Sequence, residues 1–106
     1  MASESEIEKT IDASSTLSLI LFTTEWNGAC QIVAMIFEEL THSYTTRINF
    51  IQVDQEKEAA IGRKYGIREV PAILFLRDEK IIDHTIGLIS KNTLVSKIET
   101  ALSEPS

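Results

Sequence analysis

Leu17-Ser18-Leu19-Ile20-Leu21-Phe22-Thr23-Thr24-Glu25-Trp26-Asn27-Gly28-Ala29-Cys30 is the stretch from which the fold of this chain is read. It opens as a nearly continuous apolar run, the mark of a strand covered on both faces of a parallel or mixed sheet. It closes at a strand-to-helix junction that carries the only tryptophan and the only cysteine of the protein. A glycine and a small residue ahead of a cysteine at such a junction point to thiol chemistry, because a helix N-terminus stabilises a thiolate. Asn27 stands where a second cysteine would complete a Cys-x-x-Cys pair, so no disulfide can form within the chain.

Downstream of the junction, Ile32, Val33, Ile36, Phe37 and Leu40 recur at three- and four-residue spacing. This predicts a helix to about Tyr44, with Glu38 and Glu39 on its wet side. Upstream, Ile7 and Ile11 among Glu and Lys predict a short helix over Ser3 to Ala13, ended by Ser14-Ser15-Thr16. Ile48 to Val53, rich in β-branched and aromatic residues, reads as a second strand ending at Asp54. Glu56 to Tyr65 reads as a shorter helix with Gly66 placed to cap its C-terminus. Ala72 to Leu76, after Val70-Pro71, and Ile81 to Ile86 form a hairpin around the polar turn Arg77-Asp78-Glu79-Lys80. Gly87 interrupts the fourth strand, and Ser90 is placed to cap a closing helix marked by Leu94, Val95, Ile98 and Leu102. The order is αβαβαββα, an α/β chain with a central mixed four-stranded sheet and helices on both faces.

Composition sets limits on function. The 106 residues fit one domain, 1–106, with a helix and linker over 1–16, a core over 17–102 and a tail over 103–106. Apolar residues make up 43% and charged residues 25%, as in an ordinary soluble globular protein. Ten basic against 16 acidic residues give a net charge of −6, with no basic stripe to offset phosphate repulsion, so nucleic acid is not an expected partner. No apolar run approaches the roughly 20 residues that span a bilayer, so no membrane is expected. The acidic N-terminus has no apolar signal core, and a single cysteine suits a reducing compartment, with cytoplasm the default. His42 and His84 lie far apart with no ligand spacing around them; no metal or cofactor is expected.

From about Leu17 to Leu102 the chain resembles a thioredoxin. The resemblance rests on Glu25-Trp26-x-Gly28-x-Cys30, Val53-Asp54, Lys64-Tyr65-Gly66-Ile67-Arg68, Val70-Pro71 and Ile86-Gly87-Leu88-Ile89-Ser90-Lys91. It implies a cis peptide bond at Pro71, beside the active-site cysteines of the family. It also implies a groove in which Trp26 is an exposed indole and Val70 pairs its backbone with an extended substrate. Only about 16 residues precede the first central strand, so the family's opening edge strand has no clear counterpart.

The departures carry the functional reading. Asn27 stands where the family has its attacking cysteine, and Leu21 where it has a buried aspartate that moves protons. Ala29 and Met35 replace prolines, and Gln31 replaces a common lysine. An Asn carboxamide can accept the backbone N–H of residue 29 or 30 as an ordinary N-cap, keeping the architecture and deleting the chemistry. Cys30 matches the second, resolving cysteine. Apolar burial makes a thiol inert, and it outweighs the helix dipole's about 0.3–1 kcal/mol. Cys30 therefore reads either as a small buried hydrophobe or as a slow thiol open to glutathionylation or sulfenic acid formation. Trp26 reads either as half-buried loop packing or as a peptide contact, and Pro71 as a turn former or as part of the groove. A simple replaced nucleophile sits poorly with the accompanying changes at Leu21, Ala29 and Met35.

Two functions are expected from this pattern. In the first, the domain is not a dithiol–disulfide reductase but a module binding an extended peptide or partner protein through Trp26, Asn27, Gly28, Ala29, Val70, Pro71 and Gly87. In the second, Cys30 is catalytic as a single redox thiol, with glutathione or a partner supplying the other sulfur.

Overall fold

The computed structural model describes residues 17–44 and 47–103, and the helix expected over Ser3 to Ala13 lies outside them. The described elements are β1 (Leu17–Thr23), α1 (Gly28–Ser43), β2 (Ile48–Asp54), α2 (Ala59–Lys64), β3 (Ala72–Arg77), β4 (Lys80–Ile86) and α3 (Lys91–Ser103). Four strands form one sheet in the order β2-β1-β3-β4. β1 pairs parallel to β2 and antiparallel to β3, and β3 with β4 is an antiparallel hairpin, so the sheet is mixed as expected.

All seven residues of β1 are buried, because the strand is central and covered on both faces. Alternate residues serve two cores. Leu17, Leu19 and Leu21, with Ile73 and Phe75 of β3, pack against Val33, Phe37 and Leu40 of α1 and Leu94, Ile98 and Ala101 of α3. Ile20 and Phe22, with Ile51, Val53, Leu74 and Leu76, pack on the opposite face against Ile61 of α2. Each large aliphatic or aromatic side chain so buried contributes about 1.5–3 kcal/mol. Phe37 and Phe50 add an edge-on ring pair at 5.1 Å.

The helix ends are set by caps. Asn27, with extended backbone (φ −113°, ψ 120°), starts α1 four residues ahead of the first apolar position, and the helix runs unbroken through Met35. α2 starts at Ala59 rather than Glu56, because the Asp54 carboxylate accepts the N–H groups of Glu56 (2.9 Å) and Lys57 (3.3 Å) and holds 54–57 as a turn. Gly66 takes a left-handed conformation (φ 70°) after α2, and the next N–H, from Ile67, bonds Gly62 O at 2.8 Å, as expected of a helix-ending glycine. Ser90 Oγ accepts the N–H of Thr93 at 3.2 Å and caps α3. Asp78 and Glu79 both have positive φ (51° and 68°), which makes the hairpin connection a two-residue turn and extends pairing to Arg77 and Lys80.

Candidate functional site

Strand register brings the candidate residues to one end of the sheet. Thr23, the last residue of β1, lies opposite Asp54, and Phe22 lies opposite Ala72. Pro71 therefore sits beside the end of β1, where the chain turns through Thr24 and Glu25 to Trp26. Ala72 is in turn opposite Ile86, which places Gly87 across from Pro71, and the Gly87 N–H donates to Pro71 O at 2.7 Å. Gly87 makes this bend with φ 83°, a conformation that favours glycine. The Val70–Pro71 bond is cis.

At the junction, Asn27 is a cap. Its Oδ1 accepts the N–H of Cys30 at 3.0 Å, one of the two positions expected for it. Cys30 is free and 1% exposed, and its Sγ accepts the N–H of Thr24 at 3.4 Å. Beneath lies Leu21, fully buried in the α1 core, opposite Gln52 on one side and Ile73 on the other. The described structure thus surrounds the thiol with no carboxylate at position 21 and offers it a backbone donor.

Trp26 projects into solvent at 85% exposure, which corrects the loop-packing reading of this residue. Gly28 is exposed, and Ala29, Val70 and Gly87 are half-buried. Pro71 is buried. His42 and His84 are both exposed. Among the described residues no group of His, Cys, Asp and Glu could hold a metal ion, and no helix is long and apolar enough to cross a membrane.

Two features of the site were not read from the sequence. Thr24, Gln31, Gln52, Asp54 and Lys57 line a polar cavity of about 250 Å³ that reaches Cys30 from the β2 side. Leu88, beside Gly87, exposes 62% of its surface, and Ile32 and Met35 on α1 expose 50% and 68%. The apolar spacing at Ile32 and Ile36 was a signal for burial, yet the helix turns Ile32 outward.

A thioredoxin family model matches residues 1–100. The chain is 30% identical over 99 residues to the chloroplastic M-type thioredoxin of Pisum sativum, covering 93% of this chain and 58% of that protein, so it spans less than two thirds of that relative. It is 27% identical over 89 residues to thioredoxin 1 of Synechococcus elongatus, covering 84% of this chain and 83% of that protein. It is also 27% identical over 84 residues to a thioredoxin of Griffithsia pacifica, covering 79% and 77%. With this match along nearly its whole length and the mixed sheet that carries it, the chain belongs to the thioredoxin family.

Proposed function

We propose that this chain acts as a binding module rather than a dithiol–disulfide reductase. It holds an extended peptide or partner protein at the surface of Trp26, Asn27, Gly28, Ala29, Val70, Pro71 and Gly87. One observation carries the reading: the Asn27 carboxamide takes the Cys30 N–H at the start of α1. A cap occupies the place of an attacking sulfur, and the neighbouring indole stays 85% exposed. Val70 lies outside the registered pairs of β3, which begin at Ala72, so its backbone can receive an added strand. Such pairing uses main-chain groups and a rigid aromatic anchor, and needs no cysteine. A single cysteine also fits a reducing compartment such as the cytoplasm.

Insulin reduction with dithiothreitol tests the proposal. Turnover near that of a true thioredoxin overturns it, and background turnover with capture of a partner that Trp26→Ala abolishes supports it. The single-thiol reading, with glutathione supplying the second sulfur, must overcome the burial of Cys30 at 1% exposure. Iodoacetamide labelling of the native protein decides between them: labelling only after denaturation removes the redox reading.

A further inference from the structure

A second cavity, of about 410 Å³, opens between the Tyr65–Glu69 segment and β4, and no residue of Trp26–Cys30 lines it. Its wall is apolar, with Tyr65 and Ile67 on one side, Leu74 on the floor, and Ile81 and Ile86 on the other side. The register explains the arrangement. Leu76 lies opposite Ile81, Leu74 opposite His84 and Ala72 opposite Ile86, and alternate strand residues share one face. That face is the one whose Leu74 and Leu76 pack with Ile61. α2 covers only part of it, so β4, the edge strand, leaves Ile81 and Ile86 47% and 58% exposed.

Arg68 is the one arginine or lysine among the residues lining the cavity. It forms no ion pair among the described residues. His84 contributes an imidazole to the lining. Glu69 is the one carboxylate among the lining residues. Cavities of about 300–1,000 Å³ with apolar walls and a few polar groups are the size and make-up of small-molecule sites.

We propose that this cavity binds a small amphipathic acid. An aromatic or branched aliphatic body lies on Tyr65, Leu74, Ile81 and Ile86, and its single anionic group meets the Arg68 guanidinium. The site shares no residue with the proposed peptide surface, though Glu69 and Ala72 flank Val70–Pro71 and Ile86 precedes Gly87, and it involves no chemistry at Cys30.

The probe is 1-anilinonaphthalene-8-sulfonate, which has an aromatic body and one sulfonate; N-phenyl-1-naphthylamine is its uncharged counterpart. Titration of the full chain, followed by fluorescence and by backbone amide shifts, should saturate at one site with shifts confined to residues 65–69 and 81–86. Arg68→Glu should weaken the sulfonate by about tenfold and leave the uncharged probe unchanged. Ile86→Glu should weaken both by about tenfold, and Met35→Glu, exposed elsewhere, neither. Shifts centred on Trp26, Ile32 or Leu88, binding that does not saturate, or equal sulfonate affinity in Arg68→Glu overturns the proposal. So does a tenfold gain in affinity confined to Ile7→Asp/Ile11→Asp, since the occupant would then be the chain's own first residues.

Discussion

Asn27→Ala removes the Oδ1 that accepts the Cys30 N–H at 3.0 Å, and with it the only side-chain cap at the start of α1 among the described residues. Loss of an N-cap costs about 0.5–2 kcal/mol. Two features place this case in the upper half of that range. The first turn of α1 carries no acidic residue to substitute for the acceptor. Cys30 itself is buried, so water replaces the lost bond poorly, and an unsatisfied buried donor costs about 1–3 kcal/mol. A loss of about 1–2 kcal/mol follows, and each kcal/mol lowers the melting temperature of a domain this size by about 4–8 °C. Asn27→Asp keeps the acceptor and adds a negative charge at the positive helix end, contributing about 0.3–1 kcal/mol at low salt. The expected order of stability is Asn27→Asp, then the parent, then Asn27→Ala. Thermal and urea unfolding followed by circular dichroism give the order directly, and 1 M salt should shrink the aspartate's advantage alone. If Asn27→Ala melts with the parent, or Asn27→Asp melts lowest, Asn27 is not there as a cap.

Three further predictions test other parts of the molecule. Asn27→Cys should form a disulfide with Cys30 in oxidised glutathione yet give a sluggish insulin reductase, because Leu21 supplies no proton relay; full activity would show that the relay is dispensable. Gly62→Ala should gain up to about 1 kcal/mol, because alanine favours the helix at this interior position and the new Cβ meets only the end of the flexible, half-buried Gln55 side chain; a loss of stability in urea unfolding would mean that the Gln55 carboxamide cannot move aside. In a Gln55→Ala background, where the carboxamide no longer has to move, the gain from Gly62→Ala should be larger than in the parent, and equal gains in the double-mutant cycle would show that the two side chains do not meet. Glu79→Gly should raise the unfolding free energy by up to about 1 kcal/mol, read as a higher urea midpoint at unchanged slope, since Glu79 holds φ at 68°, where a side chain is strained; a lower midpoint would mean that the Glu79 side chain outweighs the relief.

The seven described elements were legible because each has a strong period: the continuous run of β1, the three-and-four spacing of α1 and α3, and the hairpin around Asp78–Glu79. Their ends were less legible, for a physical reason. Apolar spacing marks where a helix packs, whereas polar groups decide where it starts. The Asp54 carboxylate delays α2 to Ala59, three residues later than the pattern placed it. At the site, Asn27 as a cap and Cys30 as a buried thiol were readable from local chemistry. The exposure of Ile32 and Met35 was not, because it depends on which side of α1 the sheet occupies. The cavity between 65–69 and 81–86 was illegible for the same reason: its walls meet only through the order of strands in the sheet.

Leu21 and Asn27 are best understood together. A carboxyl group at position 21 would sit fully buried among Leu19, Val33 and Ile73, where an unpaired polar group costs several kcal/mol and an ionised one far more. Such a cost is bearable where a proton must be moved to and from a sulfur pair. With one thiol, accepting a backbone N–H from Thr24 and 1% exposed, the chain holds no cysteine pair for that carboxyl to serve. What holds the junction in place is independent of sulfur. The Asn27 cap fixes the start of α1, the Phe22–Ala72 register sets Pro71 beside it, and the Gly87 N–H ties the second strand of the hairpin to Pro71 O. The geometry of the surface therefore stands without a cysteine pair, over a core in which Leu21 is fully buried. On the binding reading proposed above, that surface keeps its shape for recognition.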